Sequence, residues 1–427
     1  MEQDNSKRSY FLGLFTGCII CAFIICVIVI IRIITATDKS QVSAVSPPTP
    51  AASSGKVYAA SVSQDGPLMD DPMIERKISA LEELIDKEFI DSVSNNALEI
   101  GIYDGIMSAL DDPYAAYYTP EEYLEMQRDT QGIYYGIGAY LQKDTDTLYP
   151  RISGVIKNTP AEEQGLQEDD YITKVEGEDT FDWELDEVVK RIRGPENTSV
   201  HITISRKENG SVTELEKDVT RRKVETPTVE YEKKEKGIAY ISISEFDVVT
   251  IDQFAEALAE ARGDGMKGLV LDLRSNPGGS LRAVVDIASM MLPKGRVVYT
   301  EDKYGRQQSY DCDGRHEIDV PMVVLVNGNS ASASEILAGA IKDYKKGTIM
   351  GTTTFGKGIV QQIFPLTDGS AVKLTVSHYY TPNGNDIHKK GIEPDIEVKF
   401  DSEAYQKDKS DNQLDEAIKE LEKKLGN

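Results

Sequence analysis

The sequence predicts an α/β fold class, and three observations carry that reading. "KGLVLDLR" and "VPMVVLVN" are continuous apolar runs of strand length, the pattern of a strand buried on both faces. Each precedes a stretch with apolar residues at helical spacing, "SLRAVVDIASMML" and "SEILAGAIKDY". The same order occurs upstream, where "KGIAYISISEF" leads into "TIDQFAEALAEARGDG", closed by Gly263 and Gly265. Buried strands alternating with crossover helices give a layered core with a mostly parallel sheet, assigned to residues 223–400.

The 427 residues leave room for two or three domains. A short tail, residues 1–10, is followed by "FLGLFTGCIICAFIICVIVII", Phe11 to Ile31, which contains no charge. At ~1.5 Å per residue such a helix spans about 32 Å, enough for a hydrocarbon core of about 30 Å. Lys7 and Arg8 precede it, so the positive-inside rule predicts a cytoplasmic N-terminus and an extracytoplasmic remainder. The run is longer than the ~7–15 apolar residues of a cleaved signal, and "TAT" at 35–37 is a poor cleavage site. Residues 11–34 therefore read as an uncleaved, single-pass transmembrane signal anchor in the cell membrane. Residues 35–72, rich in Ser, Pro, Ala and Thr, read as a flexible stalk, because they cannot bury enough apolar surface to offset chain entropy.

Residues 73–129 form a helical region. Ile74, Ile78, Leu81, Leu84 and Ile85 lie at helical spacing, "ALEIGIYDGIMSAL" is a second helix, and "DDPYAAYYTPEEYLEMQ" gives a Pro-broken turn and a third. Residues 130–222 change to short strands: "GIYYGIGAYLQ", "YPRISGVI" and "SVHITISRK", with a short helix from Pro160 to Gly165. An amphipathic helix, "DWELDEVVKRIRGPE", is stopped there by Gly194 and Pro195. Residues 401–427 read as a polar linker and an amphipathic helix through Leu414, Ile418, Leu421 and Leu425, free to pack on the helical region or on a second subunit.

Composition excludes some functions. A formal net charge of −25 with no basic run argues against a nucleic-acid partner. Three of the 4 cysteines, Cys18, Cys21 and Cys26, fall in the apolar stretch, leaving Cys312 alone. No internal disulfide and no cysteine-based zinc site is then available to the folded part.

Chemistry is expected at the carboxyl ends of the parallel strands, where "RSNPGGS" and "NGNSASASE" sit. A hydroxyl at a helix N-terminus beside a glycine loop is the arrangement of a nucleophile and an oxyanion pocket. The residues by themselves leave Ser330, Ser332 and Ser334 open. None of the 4 histidines is near the serines in sequence, so another group must take the proton. Lys357, between Gly356 and Gly358 in "TTTFGKGIVQQ", is the only charge of its stretch. At an ordinary pKa of ~10.4 it is neutral in about one molecule in 2,500 at pH 7, and burial in apolar surroundings is what makes such a lysine a base.

Two resemblances sharpen this. "YYGIGAYL", "TPAEEQGLQEDDYITKVEG" and "VVKRIRGP" resemble the circularly permuted PDZ domain of bacterial processing peptidases, with "QEDD" where a Gly-Asp turn is common. Gly136, Ile137 and Gly138 would then form a nest for a peptide carboxylate, and the peptide would add as a strand beside Ile137–Leu141. "LVLDLRSNPGGSL", "VNGNSASASEILAGAIKDY", "GTTTFGKGIVQQ" and "VSHYYTPNGNDIHKKGIEPDIEV", in that order, resemble the carboxyl-terminal processing peptidases.

That family implies a layered, crotonase-like α/β peptidase core with an inserted PDZ domain and a Ser-Lys dyad. By the resemblance, Ser332 is the nucleophile, Lys357 the base, Gln361 the residue that holds the lysine, and the N–H groups of Gly278 and Ala333 the oxyanion hole; Asn276 and Glu335 are structural. It implies no metal and no cofactor, protein or peptide substrates with accessible C-termini, and an option of homodimers through terminal helices. The runner-up is an inactive, membrane-anchored PDZ adaptor that binds C-termini; an α/β acyl-thioester enzyme lacks any coenzyme-binding signature.

Overall fold

The computed structural model describes residues 71–208 and 210–426. The apolar stretch Phe11–Ile31 lies outside the described residues, and among the described residues no helix is long and apolar enough to cross a membrane. The helix Pro72–Glu88 belongs to a unit of its own, residues 1–91, and starts at Asp71, whose side chain accepts from the Met73 N–H.

In the second unit the central sheet has six strands. Ile238–Ile243, Gly268–Asp272, Met322–Val326, Thr348–Gly351 and Ile396–Glu397 run parallel, with Val229–Lys233 antiparallel at one edge. The continuous apolar runs have a direct cause, because successive side chains point to opposite faces and both faces are covered. Leu269, Leu271, Val324 and Val326 join a core with the helices Val248–Gly263, Leu281–Ser289 and Ala333–Asp343. Val270, Val323 and Leu325 face the other way, onto Ala417 and Leu421 of the helix Asn412–Leu425.

That helix is packed within its own chain. Its apolar stripe, Leu414, Ala417, Ile418, Leu421 and Leu425, packs on the sheet against Val270, Val323 and Leu325. A buried clamp fixes its start: Arg274 reaches Asp272 at 2.6 Å and Asp411, the N-cap, at 2.7 Å. The expected polar linker before it contains a further helix, Ser402–Asp408, capped by Asp401.

A second sheet joins Ala116–Tyr118, Ala371–Tyr380, Gly295–Asp302 and Gln307–Cys312, with Ile359–Pro365 paired to Ala371–Tyr380. The Pro-broken turn of the sequence thus holds a strand, whose register pairs Tyr117 with Val372. The helix after it, Pro120–Gln131, is opened by Thr119 and Glu122 in a capping box and closed by Gly132 at φ 70°.

From Gly132 the chain enters a third, six-stranded sheet through a ribbon in which Ile133–Gly136 pairs with Arg222–Glu225. "GIYYGIGAYLQ" is two strands rather than one, because Gly138 at φ 87° turns the chain between Gly136 and Ala139. A side chain at 138 would overlap Thr159, 2.3 Å from an ideal Cβ. The strand Ala139–Lys143 lies at the sheet's edge, and Ile152, Ile172, Val188 and Ile204 fill the core beneath.

Leu421→Ala should lower the unfolding free energy by about 2–5 kcal/mol, the cost of an aliphatic truncation in a closed core. Urea denaturation reads it, and a change under about 0.5 kcal/mol would place the helix off the sheet in solution.

Candidate active site

The three alternating serines have different environments. Ser330 and Ser334 are fully buried and their hydroxyls are committed to main-chain carbonyls, Ser330 Oγ to Leu273 O at 2.7 Å and Ser334 Oγ to Asn276 O at 3.0 Å. Ser332 instead lines a cavity of about 450 Å³ together with Lys357 and Gln361. It caps the helix Ala333–Asp343 with φ 53° and ψ −112°, a backbone that a residue with a Cβ adopts at a cost of about 1–3 kcal/mol. Tyr379, almost wholly buried, holds the Ser332 carbonyl by a hydroxyl bond of 3.0 Å, and its burial raises its pKa well above the ordinary value.

One carboxylate ties the serine to the lysine. Glu335, fully buried, accepts from the Ser332 N–H at 2.9 Å and the Lys357 N–H at 2.8 Å on Oε2. Its Oε1 accepts from the Gly356 N–H at 2.7 Å and the Thr354 hydroxyl at 2.6 Å. The glycines around Lys357 are dictated by close backbone approach. An ideal Cβ at 356 would lie 2.9 Å from the amide nitrogens of Lys390 and Gly391, and one at 358 would lie 2.7 Å from that of His388. The "GNDIHKK" segment is therefore the bed on which the Gly-Lys-Gly turn rests.

Desolvation, first, and the neighbouring Lys373 lower the Lys357 pKa from its ordinary value, while Asp112 and Glu335 oppose the shift. The ammonium nitrogen sits over the Tyr114 ring, 4.2 Å from its centre. Among the described residues neither Lys357 Nζ nor Ser332 Oγ bonds to another side chain, and the Gln361 amide donates to Thr375 Oγ1 at 3.0 Å rather than to the lysine. Serine, lysine and glutamine thus share a cavity without being joined.

The glycine loop lies against the serine. At φ 110°, Gly278 brings its Cα so close that an ideal Cβ would lie 2.8 Å from Ser332 Cβ and 3.0 Å from the Ala333 nitrogen. Ala333 is the first residue of its helix, so its N–H has no partner within the helix. The Gly278 N–H donates to Asn276 Oδ1 at 2.8 Å. Asn276, fully buried, also donates to Ile243 O, and its own carbonyl accepts from Ala331 N and Ser334 Oγ. It stitches the glycine loop to the serine turn.

Gly136, Ile137 and Gly138 open a second cavity, of about 250 Å³, between the edge strand and the helix Leu185–Ile192, whose Val189 and Ile192 form the facing wall. Among the described residues the edge strand has no partner on this side, so an extended peptide can add there. "QEDD" is used structurally: Asp170, 1% exposed, takes two bonds of 2.7 Å from Arg206.

Sequence reasoning missed Tyr114, whose ring lies under the Lys357 ammonium, and Tyr379 and a group of acids, Asp129, Glu245 and Asp247, that line the cavity of Ser332. The tyrosines carry no local signal, since they reach the site from the helical region and the second sheet. Glu245 and Asp247 did carry one, because they follow the carboxyl end of the strand Ile238–Ile243, where function gathers in such sheets.

Comparison with known proteins agrees with this architecture. Peptidase family S41 matches residues 237–398, and the PDZ domain family matches residues 151–206. A carboxyl-terminal-processing protease of Synechocystis sp. is 39% identical over 294 residues, 68% of each chain. A "Probable CtpA-like serine protease" of Staphylococcus aureus is 38% identical over 335 residues, 77% of this chain and 65% of that one. Among solved structures, the photosystem II D1 C-terminal processing protease is 30% identical over 75% of this chain and 86% of that one, at a TM-score of 0.45. The chain belongs to the carboxyl-terminal processing proteases, serine peptidases of family S41.

Proposed function

We propose that this peptidase is a membrane-anchored endopeptidase that recognises substrate C-termini at its PDZ groove and cleaves outside the cytoplasm with a Ser332–Lys357 dyad. The observation that carries the dyad is the single buried carboxylate of Glu335, which holds the backbones of both residues at the wall of one cavity. Neutral Lys357 takes the proton of Ser332, whose oxygen attacks the peptide carbonyl. The oxyanion takes the N–H of Ala333 and that of Gly278 once the latter leaves Asn276. The protonated lysine then protonates the leaving amine, and water repeats the cycle on the acyl-enzyme.

Two rearrangements are required: Lys357 leaves the Tyr114 ring for the serine, and Gln361 turns from Thr375 to the lysine. A substrate C-terminus seated beside Ile137 is the trigger in this reading, because the Ile133–Gly136 ribbon leads from the groove straight to the helix that walls the catalytic cavity. Anchoring rests on the length and charge pattern of Phe11–Ile31, and the homodimer is left to the helix Pro72–Glu88, since the C-terminal stripe is covered.

Ser332→Ala and Lys357→Ala should each abolish cleavage of an unfolded protein while leaving affinity for a C-terminal peptide intact. If wild type cleaves no better than both variants but binds the peptide, the chain is an adaptor. Glu335→Gln, which turns an amide N–H toward main-chain donors, should cost on the order of 100-fold in kcat with KM little changed. A fall in KM-linked binding alone would remove Glu335 from catalytic positioning.

The rate should also rise with pH through the pKa of Lys357, because only the neutral amine accepts a proton. Since Lys373 holds that pKa down by charge repulsion, Lys373→Met should raise it and move the acid limb of kcat/KM to higher pH. An acid limb that stays put or moves to lower pH contradicts Lys357 as the base.

A further inference from the structure

The catalytic cavity has an acidic end that the mechanism above does not use. Asp129 comes from the helix Pro120–Gln131, and Glu245 and Asp247 follow the strand Ile238–Ile243. Asp247 is only 7% exposed, yet it lines the cavity, from a capping box with Thr250 at the start of the helix it precedes. The charges acting on it are both negative, Glu245 and Asp129; with burial as the larger cause, they raise its pKa to about 7. Burial and Asp129 raise that of Glu245 as well. The three acids also wall a neighbouring cavity, in which Arg193 lies over the Tyr134 ring, 4.8 Å from its centre. They do not gather as metal ligands would.

Two facts separate this end from the base and bring it close to the scissile bond. The charges that act on Lys357 are Lys373, Asp112 and Glu335, and none of the three acids is among them. Between Glu245 and Asp247, the fully buried Phe246 donates its N–H to Gly278 O at 2.8 Å and accepts from Ser280 N at 2.7 Å. The acids therefore flank a segment bonded to the glycine loop whose Gly278 lies against Ser332, and they line the same cavity as that serine.

We propose that the end walled by Asp129, Glu245 and Asp247 is a substrate subsite for a basic side chain, lysine or arginine, within two residues of the bond that Ser332 attacks. The proposal rests on Ser332 as the nucleophile and names the substrate class of that site. Arg193 is not among the charges that act on Glu245 or Asp247, and a buried carboxylate with no cation acting on it is costly, so a lysine ammonium or arginine guanidinium supplies a compensating charge on binding. The gain falls on substrates that carry it, so it acts as selectivity.

The test uses the full-length chain and fluorogenic peptides with free C-termini, identical except for lysine, arginine, glutamate or norleucine at each of the positions flanking the cleaved bond. Wild type should favour lysine or arginine over norleucine by about tenfold in kcat/KM at one position and reject glutamate there. Asp247→Asn and Glu245→Gln, each checked for an unchanged melting curve, should bring that ratio toward one. The wild-type ratio should also grow from about pH 6 to about pH 8, as Asp247 ionises. Equal cleavage of lysine and norleucine peptides by wild type, or a ratio that survives in both folded variants, overturns the subsite and leaves the peptidase reading standing. Failure of wild type to cleave any peptide faster than Ser332→Ala overturns both.

Discussion

The site depends on one buried carboxylate. Glu335 has no exposure and four donors around its two oxygens, two of them the main-chain N–H groups of Ser332 and Lys357. A charge in such a place is tolerable only when fully bonded, and bonds to a charged group contribute about 1.5–3 kcal/mol each. That is enough to offset the ~1–3 kcal/mol of strain at Ser332. The backbone geometries of Ser332 and Lys357 are thus set together, because each bonds to the same group.

What Glu335 does not fix is the lysine side chain. Its backbone is pinned, but its ammonium is free to choose between the Tyr114 face and the serine. A cation over a ring gains about 0.5–2 kcal/mol, an amount that substrate binding elsewhere can match. Under the proposed mechanism, this division between a pinned main chain and a movable charge is what substrate binding would act on. The oxyanion loop follows the same logic: Gly278 is positioned, while its N–H is occupied by Asn276.

The sheet explains why these parts converge. Three of its parallel strands end at Asp272, Val326 and Ile243, and the turns after them carry the glycine loop, the serine turn and the acidic segment. The second sheet adds Tyr379, Gln361 and Thr375, and the helical region adds Tyr114 and Asp129. The cavity therefore has a wall from each layer of the chain, and the ribbon that carries the PDZ module leaves from beside its acidic end.

The sequence by itself determined the layered α/β core, because burial on two faces imposes apolar runs that local periodicity exposes in "LVLDL" and "MVVLV". It also carried the four motifs and, through their family resemblance, the expectation of roles for Ser332, Lys357, Gln361, Gly278 and Ala333. Only the tertiary structure separated Ser332 from Ser330 and Ser334 on physical grounds, since which hydroxyl meets a carbonyl depends on strands far away in the chain. The same holds for Glu335, which reads as a helix-cap acid in sequence and becomes a hub only when the Thr354–Lys357 turn folds over it. The split at Gly138, the strand at Ala116–Tyr118 and the docking of the last helix on the sheet were likewise decided by partners distant in the chain: Thr159, the strand Ala371–Tyr380 and the sheet face of Val270, Val323 and Leu325. Periodicity records which face is apolar, but not what comes to cover it.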